Sequence, residues 1–329
     1  MKKKAFITGI SGQDGSYLSE YLLENDYAVY GILRRNSITE HQRNRLSHLD
    51  GKIELTYGDL TDKSSLDKNL KLIKPDEIYN LGAQSHVRVS FDIPEFTFHN
   101  NGLGVYNILE SMKEFSPKAK FYQASSSEMF GRSVDDDGYQ REQTRFEPTS
   151  PYGCAKVFGY NLTKHYRKAY KIFAANGILF NHESKRRGSN FVTSKVVKTA
   201  VRIKHKLEKE LVLGNMDSSR DWGHSKDYVN AMHLILSQNT PDDYVVATGQ
   251  TRTVRELCEY VFSKLNLNLD KYLKTSEKFM RPEELRYLKG DSSKIREKLK
   301  WKPKYSFENL IDEMIEFWEA NYDSDNIKY

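Results

Sequence analysis

Short runs of apolar, β-branched and aromatic residues alternate, along the first half of the chain, with longer stretches whose apolar positions recur at helical spacing. The runs predict strands over Lys4–Thr8, Ala28–Leu33, Ile53–Tyr57, Glu77–Leu81, Phe121–Ala124 and Ile172–Ile178. The stretches between predict helices over Ser16–Glu24, Ser64–Leu72, Phe96–Lys113 and Tyr152–Tyr170. Punctuation agrees: Thr61-Asp62 precede the second helix, and Ser150-Pro151 precede the fourth as an N-cap and a first-turn proline. Strands alternating with helices imply α/β architecture, a doubly wound parallel sheet with right-handed crossovers.

Beyond about Asn181 the pattern loosens. Helices are expected over Thr193–Lys206, Ser225–Leu236, Val254–Lys264, Ser292–Lys300 and Phe307–Tyr322, with one strand over Tyr244–Thr248. Longer loops are expected at Asn215–His224 and Thr275–Leu285. No repeat or Pro/Gly linker separates the halves. The expected division is residues 1–180, with a returning segment near 225–250, and a smaller mixed α/β portion over 181–329.

Composition narrows the class. Of 329 residues, 38% are hydrophobic and 12% aromatic, enough to build a core. No apolar run approaches the ~20 residues of a membrane span. Met1-Lys2-Lys3-Lys4 opens like a signal peptide, but Ala5 to Ile10 is too short for its apolar core, so a first buried strand is expected instead. Two cysteines, Cys154 and Cys258, give no metal spacing and no disulfide framework, which suits a cytoplasmic protein. The net charge of +6 (51 basic less 45 acidic residues) is spread rather than clustered among aromatics. It fits a small anionic substrate better than nucleic acid.

The first strand runs into Thr8-Gly9-Ile10-Ser11-Gly12-Gln13-Asp14-Gly15-Ser16. Glycines spaced G-x-x-G-x-x-G, after a strand and opening a helix, let backbone approach a pyrophosphate and turn a helix N-terminus toward it. A Rossmann-type dinucleotide site with Gly9, Gly12 and Gly15 at its turn is expected. The second strand ends in Arg34-Arg35, where an acidic residue would select NAD; two guanidinium groups suit the 2′-phosphate of NADP. Asp59 and Leu60, and then Leu81, Gly82 and Ala83, end the third and fourth strands, where ligands of such sheets lie.

The fifth strand ends in Ser125-Ser126-Ser127-Glu128, and Tyr152-Gly153-Cys154-Ala155-Lys156 opens a helix about two dozen residues on. Tyr152 and Lys156 share a helix face. A tyrosine with a pKa of about 10 is a poor base unless a nearby cation favours the phenolate. Such a pair removes a proton from a hydroxyl while hydride leaves the same carbon. Glu128 adds a second acid–base group, able to take a proton next to a transient ketone and to protonate a leaving hydroxyl. Cys154 points away from the shared face.

On these residues the chain resembles the GDP-mannose 4,6-dehydratase family of the extended short-chain dehydrogenase/reductase superfamily. The likeness runs nearly end to end, through Gly12–Leu18, Asn80–Val87, Ser127–Gly131, Phe180–Ser184 with Arg186–Gly188, Arg220–His224 with Lys226–Tyr228, and Arg281-Pro282 with Glu284. The resemblance implies an internal redox cycle on GDP-mannose through bound NADP. Tyr152, supported by Lys156, deprotonates the carbon 4 hydroxyl; Ser126 holds that oxygen; Glu128 takes the carbon 5 proton and expels the carbon 6 hydroxyl. It adds Gln13, Asp14, Ser85, His182 and Arg187, beside Tyr152 and Lys156, to the cofactor's contacts. Ser85, Ser126, Glu128, Tyr152, Asn181, Lys195, Arg220, Arg281 and Glu284 line the substrate site. No metal is implied. The family forms homodimers and homotetramers, and the Arg35–Arg45 loop could meet a neighbouring copy. The chain departs from the family at Ser126, where threonine is usual, at Lys185 in place of proline, and at Leu285-Arg286 in place of an acidic residue. Glu128 argues against an epimerase, and Ser127 in place of aspartate against a deoxythymidine-diphosphate-glucose dehydratase. Tyr152, Lys156 and Glu128 together argue against a non-catalytic scaffold.

Overall fold

The computed structural model describes residues 2–35 and 44–324, so most of the Arg35–Arg45 loop (residues 36–43) lies outside the described residues. Seven parallel strands form the main sheet: β1 (Lys4–Thr8), β2 (Ala28–Leu33), β3 (Glu54–Tyr57), β4 (Glu77–Asn80), β5 (Lys120–Ser126), β6 (Ala174–Leu179) and β7 (Asp243–Val246). Their spatial order is β7-β6-β5-β4-β1-β2-β3. The chain leaves β1 toward β2 on one side and returns to β4 on the other, so a crevice opens at the carboxyl end of β1. Buried strands such as β4 and β6 have no exposed position, as expected where helices cover both faces, whereas edge strand β3 is largely exposed.

One face is covered by the helices Gln13–Glu24 and Ser225–Leu236, which pack Leu18 and Leu22 with Tyr228, Val229 and Met232. The other carries Lys63–Ile73 and Gly104–Phe115, through Leu66, Leu70, Ile108 and Met112. A separate core unites the helices Val192–Lys204, Val254–Lys264 and Phe307–Glu319 around Trp222 and Trp318. No helix among the described residues is long and apolar enough to cross a membrane.

The periodicity over Phe96–Lys113 predicts one helix, but the structure breaks it. Helix Pro94–Phe98 passes through a π-helical turn, His99–Leu103, into Gly104–Phe115. The turn carries Asn101, whose amide accepts from the Gln84 N–H at 2.8 Å and donates to the Gln84 carbonyl at 2.8 Å. A long-range bond thus sets the local winding, as π-turns at sites often reflect. The helix Val87–Asp92 is absent from the sequence expectations. The expected loop Asn215–His224 contains two short strands: Ser219–Arg220, and Trp222–His224 paired with Asn181–Glu183.

Candidate functional site

The glycine turn after β1 has the shape its spacing predicts. Gly9 adopts φ +70°, and a Cβ there would lie 2.8 Å from the Gly82 nitrogen. A Cβ on Gly15 would lie 2.4 Å from the Gly9 carbonyl oxygen, so only glycine lets the helix start lie on the turn. Gly12 caps the helix without any side-chain bond, so no capping side chain occupies the first-turn N–H groups. These features fit a phosphate-bearing dinucleotide. Arg34 and Arg35 are exposed past β2, the Arg34 guanidinium lying 5.6 Å from the Phe96 ring centroid. Asp59 accepts from the Thr61 N–H and hydroxyl, both at 2.8 Å, while the Leu60 side chain is buried in the core.

The loop docks onto the second half of the chain. Gln13 donates to the His182 carbonyl at 3.1 Å and accepts from the Ser184 hydroxyl at 2.8 Å. The His182 Nε2 sits 2.6 Å from Asp14 Oδ2, its Nδ1 2.7 Å from the Phe180 carbonyl, and its ring stacks on Tyr228 at 4.6 Å. Burial opposes charge on both partners. Their mutual attraction outweighs it, so Asp14 titrates below its usual value and His182 above its own.

Strand β5 and the helix Pro151–Ala169 carry the acid–base groups expected at the site. Ser126 ends β5 and Glu128 follows in a 3-10 turn, its N–H donating to the Ser126 hydroxyl at 3.2 Å. Ser150 caps the helix, accepting from the Gly153 N–H at 3.0 Å, and Pro151 fixes its first turn. Gly153 lets the helix lie close on the Glu128 carbonyl; a Cβ would be 2.8 Å from it. Lys156 donates to the Ala124 carbonyl at 2.7 Å, with its ammonium 5.7 Å from the Tyr152 ring centroid. Ser126, Glu128, Tyr152 and Lys156 are each at most 9% exposed. Burial pushes Tyr152 up to about 12 against the pull of its Ser126 hydrogen bond, and burial brings Lys156 down to about 8. At neutral pH the pair therefore rests as a phenol beside an ammonium.

These groups open into a cavity of about 840 Å³. Its far wall is basic. Arg220 is buried, donates to the Ser219 carbonyl at 2.9 Å and lies 3.7 Å from Glu284. Burial, then the charge of Arg281, lowers its pKa to about 10. Arg281 Nη1 donates to both oxygens of Glu128, at 3.2 and 3.4 Å. Lys195 donates to the Val212 carbonyl at 2.7 Å and covers the Phe279 ring at 3.7 Å.

Of the residues expected at the site, the cavity gathers Ser126, Glu128, Tyr152 and Lys156 with Asp14, Leu81, Ala83 and Ser85. From the second half come Asn181, His182, Arg187, Lys195, Arg220, Arg281 and Glu284. The glycine turn, Gln13, Arg34, Arg35, Asp59, Leu60 and Gly82 are not among its lining residues. The expectations missed His86, Arg88, Asn190, Phe191 and Phe279, which also line it. His86 lies within the segment Asn80–Val87 and Arg88 directly follows it, the only signal that could have drawn attention to them; Asn190, Phe191 and Phe279 sit in stretches without periodicity. Cys154 is exposed. Among the described residues no cluster of His, Cys, Asp or Glu could hold a metal ion.

The family model described as "GDP-mannose 4,6 dehydratase" matches residues 6–314. The GDP-mannose 4,6 dehydratase of Drosophila melanogaster is 45% identical over 95% of this chain and 85% of its own length. GDP-mannose 4,6 dehydratase 1 of Arabidopsis thaliana is 47% identical over 96% and 89%, and the Vibrio cholerae enzyme 42% over 96% and 93%. Solved structures share the fold at lower identity. A dTDP-glucose 4,6-dehydratase from Streptomyces venezuelae, with NAD and TYD bound, is 22% identical with a TM-score of 0.85, covering 97% of each chain. RMD from Pseudomonas aeruginosa, complexed with NADPH, is 23% identical with a TM-score of 0.81, covering 97% of this chain and 100% of that one.

Proposed function

The chain belongs to the GDP-mannose 4,6-dehydratase family, and from that membership we propose that it converts GDP-mannose to GDP-4-keto-6-deoxymannose and water with a bound NADP. The observation that carries the reading is the meeting of Tyr152, Ser126 and Glu128, from two separate elements, in one cavity with a basic far wall. When bound, the dinucleotide supplies a hydride acceptor and later donor.

Tyr152 takes the proton of the carbon 4 hydroxyl as the hydrogen on that carbon departs, and Ser126 donates to the same oxygen. Lys156 lends positive charge toward the Tyr152 ring, which favours the phenolate that burial opposes. The new carbonyl acidifies the hydrogen on carbon 5, and Glu128 takes it. Glu128 then gives a proton to the carbon 6 oxygen, which leaves as water. The proton held by Tyr152 closes the balance at carbon 5 as carbon 6 becomes a methyl group. Arg220 and Arg281 suit the diphosphate, and Glu284 can accept guanine N–H groups.

Residues 1–180, with a returning segment near 225–250, serve as the dinucleotide domain in this reading. Arg34 and Arg35 favour NADP over NAD. A homo-oligomer is proposed from one apolar face: Phe98, Leu103, Tyr106 and Phe158 are each 37–43% exposed, on the helical run from Pro94 and on Pro151–Ala169.

The test is turnover of GDP-mannose without added cofactor. Deuterium placed on carbon 4 should reappear in the methyl group of the product. A product whose methyl group carries none, or no product at all, overturns the reading.

A further inference from the structure

Two guanidinium groups and two carboxylates face one another across the far wall. Arg220 is fixed by burial and by the Ser219 carbonyl. Glu284 lies on the Arg220 side and also accepts from the Ser218 hydroxyl at 3.4 Å. Its neighbour Glu283 pairs elsewhere, with Arg132. Glu128, whose side chain is only 7% exposed, takes its charge partner from Arg281, whose side chain is 22% exposed. Arg281 sits just after the Glu277–Phe279 turn, in a stretch of chain that no main-sheet strand anchors.

One cation therefore faces two claims. A carboxylate held through both oxygens by a guanidinium has those oxygens engaged and turned away from a substrate proton. A nucleotide diphosphate beside Arg220 offers Arg281 a more highly charged and bidentate acceptor. Arg220 cannot answer that claim alone, since it is already committed within the wall.

We propose that Arg281 is shared between Glu128 and the diphosphate, so that binding of the nucleotide, the part of the substrate that does not react, releases the carboxylate that does the chemistry. The inference rests on the dehydratase reading for the role of Glu128. Arg281 is then a specificity-determining residue: a sugar phosphate without the nucleotide diphosphate enters the cavity but leaves Glu128 bonded.

The competition is measurable without turnover. GDP is titrated calorimetrically into the full chain and into Glu128→Gln, Arg281→Gln and the double variant, with melting profiles confirming that each is folded. Removing the charge of Glu128 frees Arg281, so Glu128→Gln should bind GDP about tenfold more tightly than the native chain, about 1.4 kcal/mol. In the Arg281→Gln background the same change should bring little or no gain. Equal tightening in both backgrounds means that Glu128 merely repels the diphosphate at a distance, and it overturns the proposal; so does no tightening at all. Should Arg281→Gln fail to fold, Arg281→Lys takes its place, with the gain expected to shrink because a lysine cannot fork between two acceptors. UDP serves as a second probe. If UDP binds and GDP does not, the guanine assignment falls, while the same cycle run with UDP still decides the competition. If neither binds, both readings fall.

Discussion

At the scale of single residues, burial and pairing set what each group can do. His182 joins the glycine loop to the second half of the chain through Asp14, and its charge is what the pair requires. Because His182 titrates above 6.5 when folded, its contribution to stability is complete below that pH and fades as pH rises through the raised value. Asp14 titrates below 3.8, so its contribution holds above that value and is lost only in stronger acid. His182→Asn should therefore lower the melting temperature most between about pH 4 and 6.5 and progressively less toward pH 9. The loss of the Tyr228 stack remains as a pH-independent part. A deficit constant from pH 5 to 9, followed by calorimetry, would contradict the charged pair. The basic end of β2 makes a different prediction. Arg35→Ala should weaken NADP about tenfold, as one charge-assisted bond is worth, while leaving NAD within about twofold. Titrating both cofactors into the stripped chain decides it, and equal losses defeat the 2′-phosphate assignment.

At the scale of elements, the site is a matter of where helices begin. Tyr152 lies two residues inside a helix whose start is held by the Ser150 hydroxyl and by Pro151. Ser150→Ala removes that bond and should cost about 1 kcal/mol of stability. The frayed first turn should also lower kcat several-fold at nearly unchanged KM, since Tyr152 shifts while the diphosphate wall does not. A rise in KM alone would place the effect elsewhere. This start was legible in the sequence, because Ser-Pro before an apolar helix is a local signal. So were β1, β2 and β4, whose apolar runs reflect burial on both faces, and the glycine turn, whose spacing follows from close packing on the Gly9 and Gly82 backbones. The π-turn at His99–Leu103 was not, because its cause is a bond from Asn101 to a backbone seventeen residues away. Nor was the short pairing of Trp222–His224 with Asn181–Glu183, which brings Arg220 near the cavity from forty residues downstream. Periodicity carries local burial; it does not carry contacts made by loops.

At the scale of the whole molecule, the apolar face is the feature that folding of one copy leaves unexplained. Exposed single aromatics are ordinary, but here Phe98 and Phe158 meet at 5.6 Å across two helices, and Leu103 and Tyr106 follow at helical spacing on the same run. Two helices from each of two copies, related by a twofold axis, would cover this face with an identical one, which is the commonest closed arrangement. The face lies on the outer side of the helix that carries Tyr152 and Lys156, so its covering would also steady that helix. Phe98→Glu combined with Phe158→Glu places like charges against each other across such an axis while leaving every cavity-lining residue in place. Sedimentation equilibrium should find the native chain as a dimer or a multiple of it, and the double variant as a monomer. The double variant should melt lower by an amount that grows with the concentration of the native protein in the comparison, because association adds stability by mass action. A native chain that sediments as a monomer at micromolar concentration would leave the face without a second copy and sink the assignment.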